Sequence, residues 1–212
     1  MKTFKLLFIT SLLLFLTGCE DKKSDLPKNE VKKETETKSD KSKSIKATEG
    51  NSSEEEKTVV EPIYTFTLSD INDVNHTFTI DNKDIKISNV SEPLIILNFF
   101  ATWCPPCQGQ LPYLTDLKKK YEGKLFLGGI LVNDKPDRET LQKFLKEYEV
   151  DYFVATGTQN DDLAKLAIEK LRLPEDLPIP ITVLFKDGHY YSHYEGAVPI
   201  EMLEHDIKQA IK

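Results

Sequence analysis

The chain has 212 residues, a formal net charge of −7 and 39% hydrophobic residues, with three cysteines and one tryptophan. The negative charge repels nucleic acid, so no nucleic-acid partner is expected. Three cysteines cannot furnish a four-cysteine zinc site, which excludes one common structural use of paired thiols.

Residues 1–18 read as a secretory signal. Lys2 and Lys5 give a basic start, and Leu6 to Leu16 form an apolar run too short to span a bilayer comfortably. The run ends in Leu16-Thr17-Gly18-Cys19. That phrase resembles the bacterial lipobox, which is cut just before its cysteine, and the resemblance implies that Cys19 becomes the lipidated first residue. Each acyl methylene adds about 0.8 kcal/mol of membrane affinity, so two or three chains hold a protein firmly. From Glu20 to Glu61 the chain is rich in Lys, Glu, Ser and Thr, with neither charge sign dominant. Such a segment buries too little apolar area to offset its ordering entropy, and residues 19–61 are expected to be a disordered tether.

Residues 62–212 are long enough for one domain with its own core. Strands are expected at Tyr64–Leu68, Thr77–Ile80, Leu94–Phe100, Leu125–Val132, Tyr152–Ala155, Ile181–Lys186 and Tyr190–Tyr194. Leu94 to Phe100 is apolar at nearly every position, as a strand buried on both faces should be. Helices are expected at Pro105–Tyr121, Arg138–Glu149, Asp161–Leu171 and Ile200–Ile211, and Asp187-Gly188 marks a hairpin. Alternating strands and helices after residue 94, closed by a hairpin and a helix, predict an α/β domain with a mixed sheet flanked by helices.

Between the apolar strand and the next helix stands Trp103-Cys104-Pro105-Pro106-Cys107. Two thiols at this spacing either close a small reversible disulfide or supply half of a metal site. With Cys19 assigned to the anchor, redox chemistry is favoured and no metal site is expected. Cys104 would sit at the helix start, where free N–H groups and the macrodipole favour a thiolate, so it is the expected nucleophile. Cys107, one turn further in, would resolve the mixed disulfide. Pro105 and Pro106 carry no N–H and remove two donors to that thiolate. A less stabilised thiolate means a more reducing couple, nearer the thioredoxin value of about −270 mV than the DsbA value of about −120 mV.

These residues resemble a thioredoxin-fold active site, and Ile179-Pro180-Ile181-Thr182-Val183 resembles the later thioredoxin strand that opens with a cis-proline. Phe66-Thr67-Leu68-Ser69-Asp70 and Leu97-Asn98-Phe99-Phe100-Ala101-Thr102-Trp103 are similar, more narrowly, to the membrane-anchored bacterial reductases of the TlpA/ResA/CcmG type. The resemblance covers Tyr64 to Lys212. Cys107 and Pro180 lie 73 positions apart, more than a minimal thioredoxin needs, which suits the central βα insertion of that group. The strands before Leu94 would form its N-terminal β-hairpin.

The resemblance implies a thiol:disulfide oxidoreductase on the periplasmic side of a bacterial membrane, using its own Cys104–Cys107 disulfide and no other cofactor. It implies periplasmic protein disulfides as substrates, apocytochrome c among them, and a membrane thiol carrier of the DsbD/CcdA type as electron donor. Trp103, Pro105, Pro106, Ile179 and cis-Pro180 would shape the substrate groove. Two positions depart from the pattern. Asn98 stands where thioredoxins often carry a buried Asp, and Gln110 where many TlpA/ResA-type proteins carry a Glu. An amide cannot take a proton at neutral pH, so both are expected to orient groups near the dithiol without acting as bases. Water, the substrate and a carboxylate such as Asp116 or Glu195 are the candidate acceptors for the Cys107 proton.

Weaker signals remain. His189 and His193 lie four apart on one strand and could join the dithiol in a copper-handling site, although exposed edge histidines are the plainer reading. A disulfide oxidase or isomerase is the other enzyme reading. Tyr113 and Tyr121 are expected to pack the active-site helix. Asn51 and Asn75 each follow an acidic residue by two positions and head an Asn-x-Ser/Thr triplet, a pattern for glycosylation in exposed loops.

Overall fold

The computed structural model describes residues 61–212. The signal segment, Cys19, the tether as far as residue 60 and Asn51 lie outside the described residues. The chain runs β1 (Ile63–Ser69), β2 (Asn75–Asp81), β3 (Asp84–Ile87), β4 (Leu94–Phe100), α1 (Pro105–Lys120), β5 (Leu125–Leu131), α2 (Arg138–Glu147), β6 (Phe153–Ala155), α3 (Asn160–Leu171), β7 (Ile181–Lys186), β8 (His189–Glu195) and α4 (Ile200–Ala210).

Five strands form the central sheet in the order β6-β5-β4-β7-β8. β4, β5 and β6 are parallel, whereas β7 runs antiparallel to β4 and β8 to β7. All seven residues of β4 are buried, because the sheet is covered on both sides. Leu94, Ile96 and Phe100 face α1, α2 and α4; Ile95, Leu97 and Phe99 face α3 and the N-terminal strands. This is the thioredoxin fold that the sequence predicts, with β6 and α3 as the central insertion.

The expected N-terminal hairpin, β1–β2, continues into a third strand, β3, which the sequence reading omits. Ile85 and Ile87 of β3 are buried, and the intervening Asp84 and Lys86 are exposed. The small sheet ties to the large one at the β7–β8 turn, where the Ile85 N–H donates to the Gly188 carbonyl at 2.7 Å, and just past β6, where the Thr156 N–H donates to the Ser69 carbonyl at 2.9 Å. Asp187 and Gly188 both have positive φ, 52° and 83°, the conformation of a tight hairpin turn. A side chain at Gly188 would also collide with the Ile85 carbonyl oxygen, at 2.7 Å, so the turn and the docking together require glycine.

The insertion is pinned by side chains. Buried Asn160 donates to the carbonyls of Leu131 and Ala155, at 3.0 and 2.8 Å, and so joins α3 to the ends of β5 and β6. Gln159 accepts from the Thr67 N–H at 2.8 Å and fixes the same corner to β1.

Candidate active site

β4 ends at Phe100, and the chain turns through Ala101-Thr102-Trp103 before α1 begins. That turn is held by a residue the sequence reading did not single out. Asp134, just past β5, accepts from both the Thr102 N–H and the Thr102 hydroxyl through one oxygen, at 2.6 and 2.7 Å. Gln108 donates to the Thr102 carbonyl at 2.6 Å, closing the turn from the helix side. The only local hint of Asp134 is an acid just after a buried strand, which is too common to signal a role.

Cys104 is the N-cap of α1 and Pro105 its first helical residue, where the missing N–H is tolerated. Cys104 and Cys107 form a disulfide with Cα atoms 5.2 Å apart. The Cys107 N–H donates to Cys104 Sγ at 3.3 Å, while Pro105 and Pro106 offer that sulfur nothing. Both cysteines are buried, 4% and 1% exposed. Lys118, Lys119 and Lys120 in the last turn favour the opposite end of the helix dipole.

Across from the dithiol stands the Ile179-Pro180 bond, cis as expected. The Ile179 carbonyl oxygen lies 3.8 Å from Cys104 Sγ. In the reduced state it can accept from the thiol, and its partial negative charge disfavours a thiolate there. The loop is braced where the Gly196 N–H donates to the Pro180 carbonyl at 2.8 Å. Trp103 is 60% exposed beside the dithiol, a surface residue and not core, and Pro105 and Pro106 are likewise exposed.

Beneath the site lies a buried polar triad. Asn98 of β4 stands opposite Thr182 of β7, and its amide donates to the Thr182 hydroxyl oxygen at 3.0 Å. Gln110 of α1 donates to the same oxygen at 3.3 Å. All three residues are at most 4% exposed, and Asn98 Oδ1 and Gln110 Oε1 have no partner. The sequence reading named Asn98 and Gln110 but not Thr182, which joins them.

Other expected site residues are placed differently. Asp116 is exposed on α1, nine residues or about 13 Å along the helix from Cys107, and does not reach the thiol. Glu195 is exposed opposite Ile181, at the active-site end of β8. Tyr121 is buried, as expected, and donates to Glu204 at 3.2 Å. Tyr113 is 56% exposed and is not a packing residue: α1 buries Cys107, Gln110, Leu111, Leu114 and Leu117, and Tyr113 falls off that face.

His189 stands opposite Lys186, at the end of the hairpin remote from Pro180, and pairs with Asp84 at 2.8 Å. His193 shares a 2.7 Å hydrogen bond with the Tyr190 hydroxyl. The two histidines do not converge on the dithiol, and among the described residues no group of three His, Cys, Asp or Glu is placed to hold a metal ion. Asn75 is exposed at the start of β2, with its amide donating to the Asp73 carbonyl at 3.1 Å. Among the described residues no helix is long and apolar enough to cross a membrane.

The redoxin family model matches residues 62–193. The thiol-disulfide oxidoreductase ResA of Bacillus thuringiensis subsp. konkukian is 27% identical over 131 residues, covering 61% of this chain and 70% of the relative. ResA of Oceanobacillus iheyensis is 28% identical over 130 residues, covering 59% of this chain and 61% of the relative. A thioredoxin-family thiol:disulfide interchange protein from Chlorobium tepidum superposes with a TM-score of 0.51 at 20% identity, covering 70% of this chain and 94% of that one. A thioredoxin-like protein from Aeropyrum pernix gives 0.50 at 20% identity, with coverages of 68% and 89%. A matched domain spanning the dithiol and the cis-proline, on a thioredoxin fold, shows that this chain belongs to the redoxin family.

Proposed function

We propose that the protein is an extracytoplasmic thiol:disulfide oxidoreductase, anchored through a lipid on Cys19, that reduces disulfides in other proteins. One observation carries the direction of electron flow: the sulfur of Cys104 caps a helix whose first two N–H groups are replaced by proline, beside the carbonyl oxygen of Ile179. A sulfur so placed gains less thiolate stabilisation than a strong oxidase requires.

The reaction begins from the dithiol. The Cys104 thiolate attacks one sulfur of the substrate disulfide, breaking that S–S bond; the released substrate sulfur leaves as a thiolate and takes a proton. Cys107 then gives up its proton and attacks Cys104 Sγ in the mixed disulfide, expelling the second substrate thiolate, which is protonated in turn. The substrate gains two electrons and two protons, and the Cys104–Cys107 disulfide forms. A membrane thiol carrier of the DsbD/CcdA type returns the electrons by the same exchange in reverse.

Gln110 Oε1 is buried without a partner one helical turn from Cys107, and we propose that it turns to accept from the Cys107 S–H of the reduced state. It orients that thiol but takes no proton from it. Water or an incoming substrate thiolate is left to accept the proton. Apocytochrome c is one substrate class that needs both thiols reduced, and it fits this direction of transfer.

The test is covalent trapping. Cys107→Ser lets Cys104 attack but blocks resolution, so it should accumulate adducts with exported proteins that dithiothreitol releases. Cys104→Ser should accumulate none. Equal yields from both variants, or none from Cys107→Ser, would refute the assigned roles.

A further inference from the structure

The insertion helix α3 holds the loop that holds the reactive turn. Asp161, in the first turn of α3, accepts from the Asn133 N–H at 2.9 Å through one oxygen, and its other oxygen lies 3.9 Å from Lys135 Nζ. Asn133 stands two residues past β5 with φ 52°, in the left-handed region. That conformation costs an L-residue roughly 1–2 kcal/mol, and Asn enters it more readily than most. The sheet fixes the residue before it, where the Val132 N–H donates to the Phe100 carbonyl at 3.0 Å. Held at Val132 by β4 and at Asn133 by Asp161, the chain turns so that the Asp134 carboxylate meets Thr102.

Thr102 belongs to the turn that carries the nucleophile. The Cys104 N–H donates to the Ala101 carbonyl at 3.3 Å and closes a four-residue turn whose second residue is Thr102. Asp134 accepts from the N–H and the hydroxyl of Thr102, and Gln108 of α1 donates its side-chain amide to the Thr102 carbonyl. The Gln108 N–H donates in turn to the Cys104 carbonyl at 3.0 Å. Thr102 is thus tied on every polar group, and the tie from Asp134 comes from the neighbouring strand. Because α3 packs on the face of the sheet opposite α1, the bond from Asp161 brings that face to bear on the turn.

Resting on the reductase reading, we propose that Asp161 is a positioning residue for the reaction: it selects the left-handed conformation of Asn133 that aims Asp134 at Thr102, and so helps to fix Cys104 for attack on the substrate disulfide. Asp161 acts through Asp134 and not on the sulfur itself. Its effect comes from the hydrogen bond it accepts, because the ion pair with exposed Lys135 is worth little in water.

The experiment is a double-mutant cycle on the full reduced chain, with a cyclic peptide disulfide as substrate. Asp161→Ala should lower kcat/KM about fivefold, through misplacement of the nucleophile. The double variant Asp134→Ala/Asp161→Ala should match Asp134→Ala alone within about twofold, because the second change acts on a tie already lost. Asp161→Asn keeps the accepting oxygen and should return the rate to within about twofold of the wild type, as should Lys135→Ala, which removes only the exposed cation. In a Cys107→Ser background, the pH profile of Cys104 alkylation by iodoacetamide should move in the same direction for Asp161→Ala as for Asp134→Ala. Effects that multiply in the double variant would overturn the proposal, as would an Asp161→Asn as slow as Asp161→Ala. So would an alkylation profile that Asp161→Ala leaves unmoved. A wild type that fails to reduce the peptide would overturn the reductase reading, and the alkylation profiles would still decide the role of Asp161.

Discussion

Thr102 delivers both its backbone N–H and its hydroxyl to a single oxygen of Asp134, which stands past the end of the neighbouring strand. This contact fixes the turn through which the chain passes from β4 to Cys104. Asp134→Ala removes the acceptor from both donors. Hydrogen bonds to a charged group are worth about 2 kcal/mol, so the variant should unfold at lower denaturant by about that amount. Its disulfide-reduction rate should fall about tenfold through misplacement of Cys104, and stopped-flow reduction of a peptide disulfide measures it.

Thr182 is the acceptor shared by Asn98 and Gln110. Thr182→Val strands two buried amide N–H₂ groups and should lower stability by about 2 kcal/mol, or the melting temperature by roughly 4–8 °C in a domain of this size. Thr182→Ser keeps the oxygen and should lose much less. If Val and Ser are equally destabilising, the methyl packing matters and the hydrogen bonds do not.

Gln110→Glu puts an ionisable group one turn from Cys107 in a buried setting. Burial raises a carboxyl pKa above the unfolded value of about 4.3, so the folded state holds its proton longer. The variant should then lose stability relative to the wild type as pH rises above about 4, until the carboxyl ionises in the folded state as well. Alkylation of the reduced protein by iodoacetamide should show an additional titration absent from the wild type. Superimposable pH profiles would remove position 110 from the thiol's surroundings.

Glu204 joins α1 to α4. Hydrogen bonds from Lys120 at 2.6 Å and Lys208 at 2.8 Å hold its carboxyl down at about 2, from an ordinary value of 4.5. A depressed carboxyl contributes stability above its unfolded pKa and loses it as pH falls through the folded one. Glu204→Gln should therefore melt below the wild type at pH 6, and the gap should close between about pH 4.5 and pH 2. A gap that persists at pH 2 would assign the difference to packing.

The Cys104–Cys107 pair was legible in residue type and local spacing, and the cis bond before Pro180 through the thioredoxin resemblance. The fold was legible because β4 is apolar at almost every position and the helices keep their period. What the sequence hid depends on distant contacts. Asp134 lies 32 positions from Thr102, and Thr182 gains its role only through the β4–β7 register. β3 is four residues with two charges, and it becomes a strand by pairing with β2 and meeting Gly188. Tyr113 looked like packing because it sits among leucines, but the buried face of α1 passes it by.

The central claim is that this dithiol reduces substrate disulfides and does not oxidise substrate thiols. The reduction potential of the Cys104–Cys107 couple, measured by equilibration against glutathione buffers at pH 7, tests it most directly. A value near about −270 mV is expected, and a value above about −180 mV would contradict the account.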